Sequence, residues 1–167
     1  MAKINNGCQK ISACLWLNNN AEESVKFYAS VFEDFQKEKV SYYGDGGPFP
    51  KGTVLVIQFS IGGVQFLALN GGPHFQFTEA VSFCINCESQ DEIDYYWEKL
   101  QEGGIEQQCG WLKDKFGLSW QIVPHNIGDL MSDVDESKSA RVMTELMKMK
   151  KLNMKVLENA YAGQAVA

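Results

Sequence analysis

The sequence predicts an α+β fold: a duplicated βαβββ module followed by C-terminal helices. Three observations predict it. The order strand, helix, strand, strand, strand can be read across residues 8–71. The same order returns across 80–124, and beyond Pro124 the pattern turns helical.

The elements follow in turn. "KISACLWLN" (10–18) is an apolar run with aromatic and branched residues, a strand. "NNNAEESVKFYASVF" has an asparagine cap, acids in its first turn and Ala21, Val25, Tyr28 and Phe32 on one helical face. "KEKVSYYG" reads as a strand and the Gly/Pro-dense "DGGPFPKG" as a loop. "TVLVIQFSIGGVQFLALN" splits at Gly62-Gly63 into a hairpin. In the second copy, "AVSFCINC" is a strand and "SQDEIDYYWEKLQEGG" a helix with Ile93, Tyr96, Trp97 and Leu100 on one face, closed by Gly103-Gly104. "IEQQCGWLKDKFGLSWQIVP" gives two strands around a Lys113–Gly117 turn, with room for a short edge piece near 105–108. The extension, 125–167, reads as two short helices with a capping-box-like start at Asp133, a break near Asn153 and a stop at Gly163. Its stripe of Val142, Met143, Leu146, Met147, Leu152, Val156 and Leu157 is expected to pack on the domain or on a second subunit, with a partner-binding groove as the alternative.

Length and charge bound the function. The 167 residues suit one domain or two fused half-domains. A net charge of −6 with no basic cluster lacks the footprint of a nucleic-acid binder and disfavours an anionic membrane surface. The start has no apolar leader core and no run approaches the ~18 apolar residues of a membrane span, so a soluble, cytoplasmic protein is expected. Cysteines stand at 8, 14, 84, 87 and 109. Cys84 and Cys87 have CxxC spacing, but on a strand they point to opposite faces, so reduced buried thiols are expected. "NGGPHF" (70–75) is tight-turn chemistry that runs on toward a strand, which argues against a phosphate cradle.

A duplicated βαβββ unit resembles the vicinal oxygen chelate (glyoxalase/bleomycin-resistance) superfamily. "LWLNNNAEESVKFYASVF", "ALNGGPHFQFTEAVSFCINCESQDEIDYYWEKL" and "CGWLKDKFGLSWQIVP" resemble its PhnB-like branch, often described as 3-demethylubiquinone-9 3-methyltransferase. The resemblance implies that each repeat forms half of a cup-shaped mixed sheet around a small ligand, and that active metalloenzymes take one ligand from each of four strands. Those places fall here at Ala13, Ala68, Ser82 and Gln121. Two alanines have no donor atom, so no metal and no cofactor are expected. The resemblance also implies a homodimer.

Alternation then predicts the cup lining. Leu15 and Leu17 point in and Cys14 and Trp16 face the helices; Phe66, Ala68 and Asn70 also point in. Ser82, Cys84, Asn86, Ser119, Gln121 and Val123 follow, and Cys109 shares a face with Trp111. The ligand-binding candidates are Asn70, His74, Ser82, Asn86, Cys109, Trp111 and Gln121. Such a lining suits a small, partly aromatic organic ligand, or else the side chains fill the bowl. His74 serves at the rim, or contacts ligand as an acid or base; His125 is solvated. Cys109 with His74 is the candidate catalytic pair, a thiol needing a base. Three functions stand: a metal-free binding protein; an enzyme on the same scaffold, as metal-dependent lyase, isomerase or dioxygenase or as the named methyltransferase; and a sequestering resistance protein of the bleomycin-binding type. For methyl transfer the sequence lacks a glycine-rich strand-to-helix turn, since "YYGDGGPFPKG" runs from strand to strand.

Overall fold

The computed structural model describes residues 9–165, so Cys8 and the outermost positions of both predicted boundaries, 8 and 167, lie outside the described residues. The chain divides after Gln76 into two compact units.

The first unit holds β1 (Ala13–Leu17), α1 (Ala21–Val31), β2 (Gln36–Tyr42), β3 (Val54–Ile61) and β4 (Val64–Asn70). Its sheet runs β1-β4-β3-β2, with β1 parallel to β4 and the other pairs antiparallel. The predicted helix face is the buried one: Ala21, Val25, Tyr28 and Phe32 all lie in the core. Tyr28 stacks on Phe59 with ring centroids 6.1 Å apart, and Phe59 on Phe66 at 5.3 Å. Burying each of these side chains is worth roughly 1.5–3 kcal/mol.

That stack identifies the helix-covered side of the sheet and corrects the expected facing. In register with Phe66, Ala68 and Asn70 stand Ala13, Leu15 and Leu17, so all six turn toward α1. Cys14, Trp16, Leu67 and Leu69 take the other side. Asn20 makes no side-chain bond at the helix start. The capping asparagine is Asn70, whose Oδ1 accepts the Ala21 N–H at 2.9 Å. Gly62 and Gly63, with φ of 56° and 74°, form the tight hairpin that glycine permits. In β2 the register skips Glu38, a bulge: Lys37 pairs with Phe59 and Lys39 with Gln58.

The second unit repeats the order with β5 (Ser82–Cys87), α2 (Gln90–Leu100), β6 (Ile105–Glu106), β7 (Trp111–Lys113) and β8 (Ser119–Pro124). Its sheet runs β5-β8-β7-β6, again with one parallel pair, β5 with β8. Duplication is therefore visible in topology. Ser89 caps α2 by accepting from Glu92 N–H, while the Glu92 carboxylate takes the Glu88 N–H. This resembles a capping box, with the carboxylate reaching one residue beyond the cap. Ile93, Trp97 and Leu100 are buried and Tyr96 is half-buried.

The turn between β7 and β8 is built on Asp114, which is 3% exposed. One carboxylate oxygen accepts Phe116 and Leu118 N–H at 2.9 and 3.0 Å, and the other accepts the Trp120 indole N–H at 2.9 Å.

The extension forms three helices, not two: α3 (Ile127–Met131), α4 (Glu136–Leu146) and α5 (Met154–Ala162). Five residues make α3 too short for a periodicity reading. The cap of α4 is Asp135, not Asp133; Asp133 instead accepts from the Tyr161 hydroxyl. Asn153 caps α5, and Gly163 ends it at φ 70° as expected. Val142, Leu152 and Leu157 pack with Val123 and Leu130, whereas Met143 and Met147 face out. The extension is sewn to the second sheet. Met149 and Lys150 carbonyls accept Cys109 and Gly110 N–H, each at 2.8 Å, and Gln90 bonds both Leu152 O and Met154 N–H.

Candidate functional site

The side chains of the second sheet alternate between two faces. Trp97 of α2 donates its indole N–H to Glu106, which is in register with Leu112, so the Leu112, Trp120 and Ile122 side faces the helix. Those three are buried. The opposite face carries Ser82, Cys84 and Asn86 of β5, Gln121 of β8 and Trp111 of β7, with Gln121 in register with both Cys84 and Trp111. Cys84 and Asn86 are exposed; Ser82, Trp111 and Gln121 are half-buried.

Gln121 and Ser82 meet. The amide Nε2 donates to Ser82 Oγ at 2.8 Å, a bridge between parallel neighbours that holds both side chains still. Trp111 lies beside this strip. At one end Val123 is covered by the C-terminal helices, which form a wall. Near the other, Lys113 contacts Glu79 at 2.7 Å, and Gln107 Nε2 donates to the same carboxylate at 2.9 Å. The Lys113 bond first, then that from Gln107, hold Glu79 down at about 2.

Cys109 does not alternate with Trp111 as expected. It precedes β7 in the left-handed region, φ 63°, and its sulfur lies 3.5 Å from Met147 Sδ. Burial pushes the Cys14 and Cys84 thiols up; burial and then Glu92 push Cys87 to about 12. These three are therefore poor sources of thiolate.

In the first unit, Asn70 is not on the open face. It is 1% exposed, and besides capping α1 its Nδ2 donates to Glu22 and to Val54 O, each at 3.0 Å. The turn behind it is a seat for Trp16. The indole lies on Gly71, where a Cβ would come within 2.3 Å of the ring, and its N–H donates to Gly72 O at 2.9 Å. Gly72 has φ 87°, and Phe75 meets the indole edge-on at 4.9 Å. His74 follows on this turn, exposed and without a hydrogen bond to any described residue. It belongs to the first unit and Cys109 to the second.

The donor set does not fit a divalent ion. Ala13 and Ala68 are on the helix side; the corrected positions on β1 and β4 offer one thiol, Cys14, and the hydrocarbon of Leu67 and Leu69, short of the three or four donors an ion needs. Ser82 and Gln121 are engaged with each other. Among the described residues no three His, Cys, Asp or Glu side chains are placed to hold a metal. No described helix is long and apolar enough to cross a membrane.

Comparison with known proteins decides the family. A family model described as 3-demethylubiquinone-9 3-methyltransferase matches residues 9–123. The chain belongs to this PhnB-like family. A solved PhnB protein from Bacillus cereus, carrying the same description provisionally, is 34% identical over 69% of this chain and 99% of its own, with a TM-score of 0.62. Protein PA1353 of Pseudomonas aeruginosa, 22% identical over 70% of this chain and 98% of its own, shares the fold with a TM-score of 0.58. No curated protein matches. The PhnB-like chain thus has the glyoxalase-like architecture anticipated from its strings.

Sequence reasoning missed Asp114, Glu79 and the cap role of Asn70. The signal for Asp114 was present: an Asp opening a four-residue turn before Gly117 is a common turn starter, its carboxylate taking local N–H groups. Nothing in the sequence marks the partner of Asn70, which is 49 residues away.

Proposed function

We propose that this PhnB-like chain binds a small, partly aromatic organic molecule on the open face of its second sheet, without the superfamily's divalent ion. The observation that carries the reading is the Gln121–Ser82 bond of 2.8 Å beside Trp111. It presents an amide oxygen and a hydroxyl in fixed positions next to an indole, a few oriented polar groups against an apolar surface. Asn86 and Cys84 extend the strip, and the wall over Val123 limits its length. The reading takes the face as open to ligand, not as packing surface, because Cys84 and Asn86 are exposed.

Methyl transfer, named in the family description, draws no support from the fold. The glycine-dense segment 44–52 joins β2 to β3, and none of the described strand-to-helix turns contains glycine. Sequestration of an aromatic compound, in the manner of bleomycin-binding proteins, is the second reading, favoured by Trp111 beside the Gln121–Ser82 bond without a nucleophile or base among the described residues joined to it. Homodimerisation and a cytoplasmic location stay expectations; light scattering at twice the 18.7 kDa chain mass supports the first.

The test is a screen of small aromatic compounds followed by Trp111 fluorescence. A hit should bind about one per chain, be lost in Ser82→Trp and survive a chelator. Binding that persists in Ser82→Trp sinks the assignment. Product formation with a hit favours the enzyme, and capture without turnover favours sequestration.

A further inference from the structure

We propose a second ligand site in the first unit, on the other side of its sheet: the groove between α1 and β2 takes a small organic anion with an apolar body. The groove has a volume of about 220 Å³ and is lined by Glu22, Val25, Lys26, Ala29, Phe35, Lys37 and Ile57. Its floor is hydrocarbon, with Val25 and Ile57 both buried. Its walls each carry one ammonium group, Lys26 from the helix and Lys37 from the strand.

Two features separate these lysines from ordinary surface charges. The bulge at Glu38 is what sends Lys37 to the helix side. Lys37 pairs with Phe59, on the α1 face, while Glu38 turns its carboxylate to Gln65 at 2.9 Å and Lys39 pairs with Gln58. Bulges commonly re-aim a side chain in this way. Second, neither Lys26 nor Lys37 makes a hydrogen bond or ion pair with any described residue, in a chain of net charge −6 where seven other lysines are ion-paired. The groove's one acid, Glu22, is engaged by the Asn70 amide at 3.0 Å. Two unpaired cations over an apolar floor match a carboxylate on a short aliphatic or aromatic body, the headgroup held by charge-assisted bonds.

The probes are benzoate and hexanoate, with benzyl alcohol as the uncharged control, titrated into the full chain by amide NMR. Shifts should concentrate at Val25, Lys26, Ala29, Phe35 and Lys37, and weaken as salt is raised because the site is open. Lys26→Gln with Lys37→Gln should weaken benzoate about tenfold or more, the double arginine variant should retain it, and Ala29→Phe should abolish it by filling the groove. Shifts confined to Ser82, Trp111 and Gln121 overturn the proposal while supporting the first site. Equal binding of benzyl alcohol, full affinity in the glutamine variant, or no shifts at all also overturn it.

Discussion

Asn70 closes the start of α1 from the far end of β4, its Oδ1 taking the Ala21 N–H at 2.9 Å. The amide is buried and uses both ends, because Nδ2 serves Glu22 and Val54 O. Asn70→Ala should therefore cost more than an ordinary cap deletion, about 2–3 kcal/mol, since it also strands two acceptors. Asn70→Asp should be worse still at neutral pH, placing a carboxylate against Glu22. Urea unfolding of the three proteins checks the order; equal midpoints would show that the bond does not hold the helix.

Asp114 supports the β7–β8 turn through three N–H groups. Asp114→Asn can keep two, but its amide N–H then confronts the Trp120 indole N–H. A loss of about 1–3 kcal/mol is expected. Trp120→Phe in the Asp114→Asn background should recover part of it, and a double-mutant cycle measures the coupling.

Gly71 has no room for a methyl group under Trp16, where Cβ would lie 2.3 Å from the ring. Gly71→Ala should lower the melting temperature and shift Trp16 emission. Trp16→Ala combined with it should be less damaging than the sum of the two changes, because the clash disappears with the indole.

Glu79 gives an acid signature. Its carboxyl is held at about 2, below the ordinary 4.5, by Lys113 first and then by Gln107. A depressed folded value stabilises above the unfolded pKa and is lost as pH falls through the folded one. The loss should thus span roughly pH 4.5 to 2. Glu79→Gln should flatten that limb of the unfolding midpoint against pH, and high salt should do the same because the pair is partly exposed. An unchanged limb would mean that Lys113 and Glu79 do not pair in solution.

The second sheet's faces were legible and the first sheet's were not, for one physical reason. In β5, polar Ser82, Cys84 and Asn86 alternate with Phe83 and Ile85, so the pattern itself tells open from covered. In β1 and β4 both sets are apolar: Leu15 and Leu17 against Trp16, Phe66 and Ala68 against Leu67 and Leu69. Alternation cannot choose there, and the ligand positions borrowed from the family were taken one residue out of step. The order of elements along the two repeats, the helix faces and the repeat itself were legible because hydrophobic period and glycine turns are local. Asn70 was misread because its partner is distant in sequence, and Cys109 because a left-handed residue breaks the alternation that was assumed.

The open face of the second sheet is tested most directly by native mass spectrometry of the untagged chain purified under mild conditions. The prediction is an added small organic mass, about one per chain, that EDTA leaves in place and Ser82→Trp removes. A divalent ion that EDTA strips, or an organic mass that survives in Ser82→Trp, would contradict it.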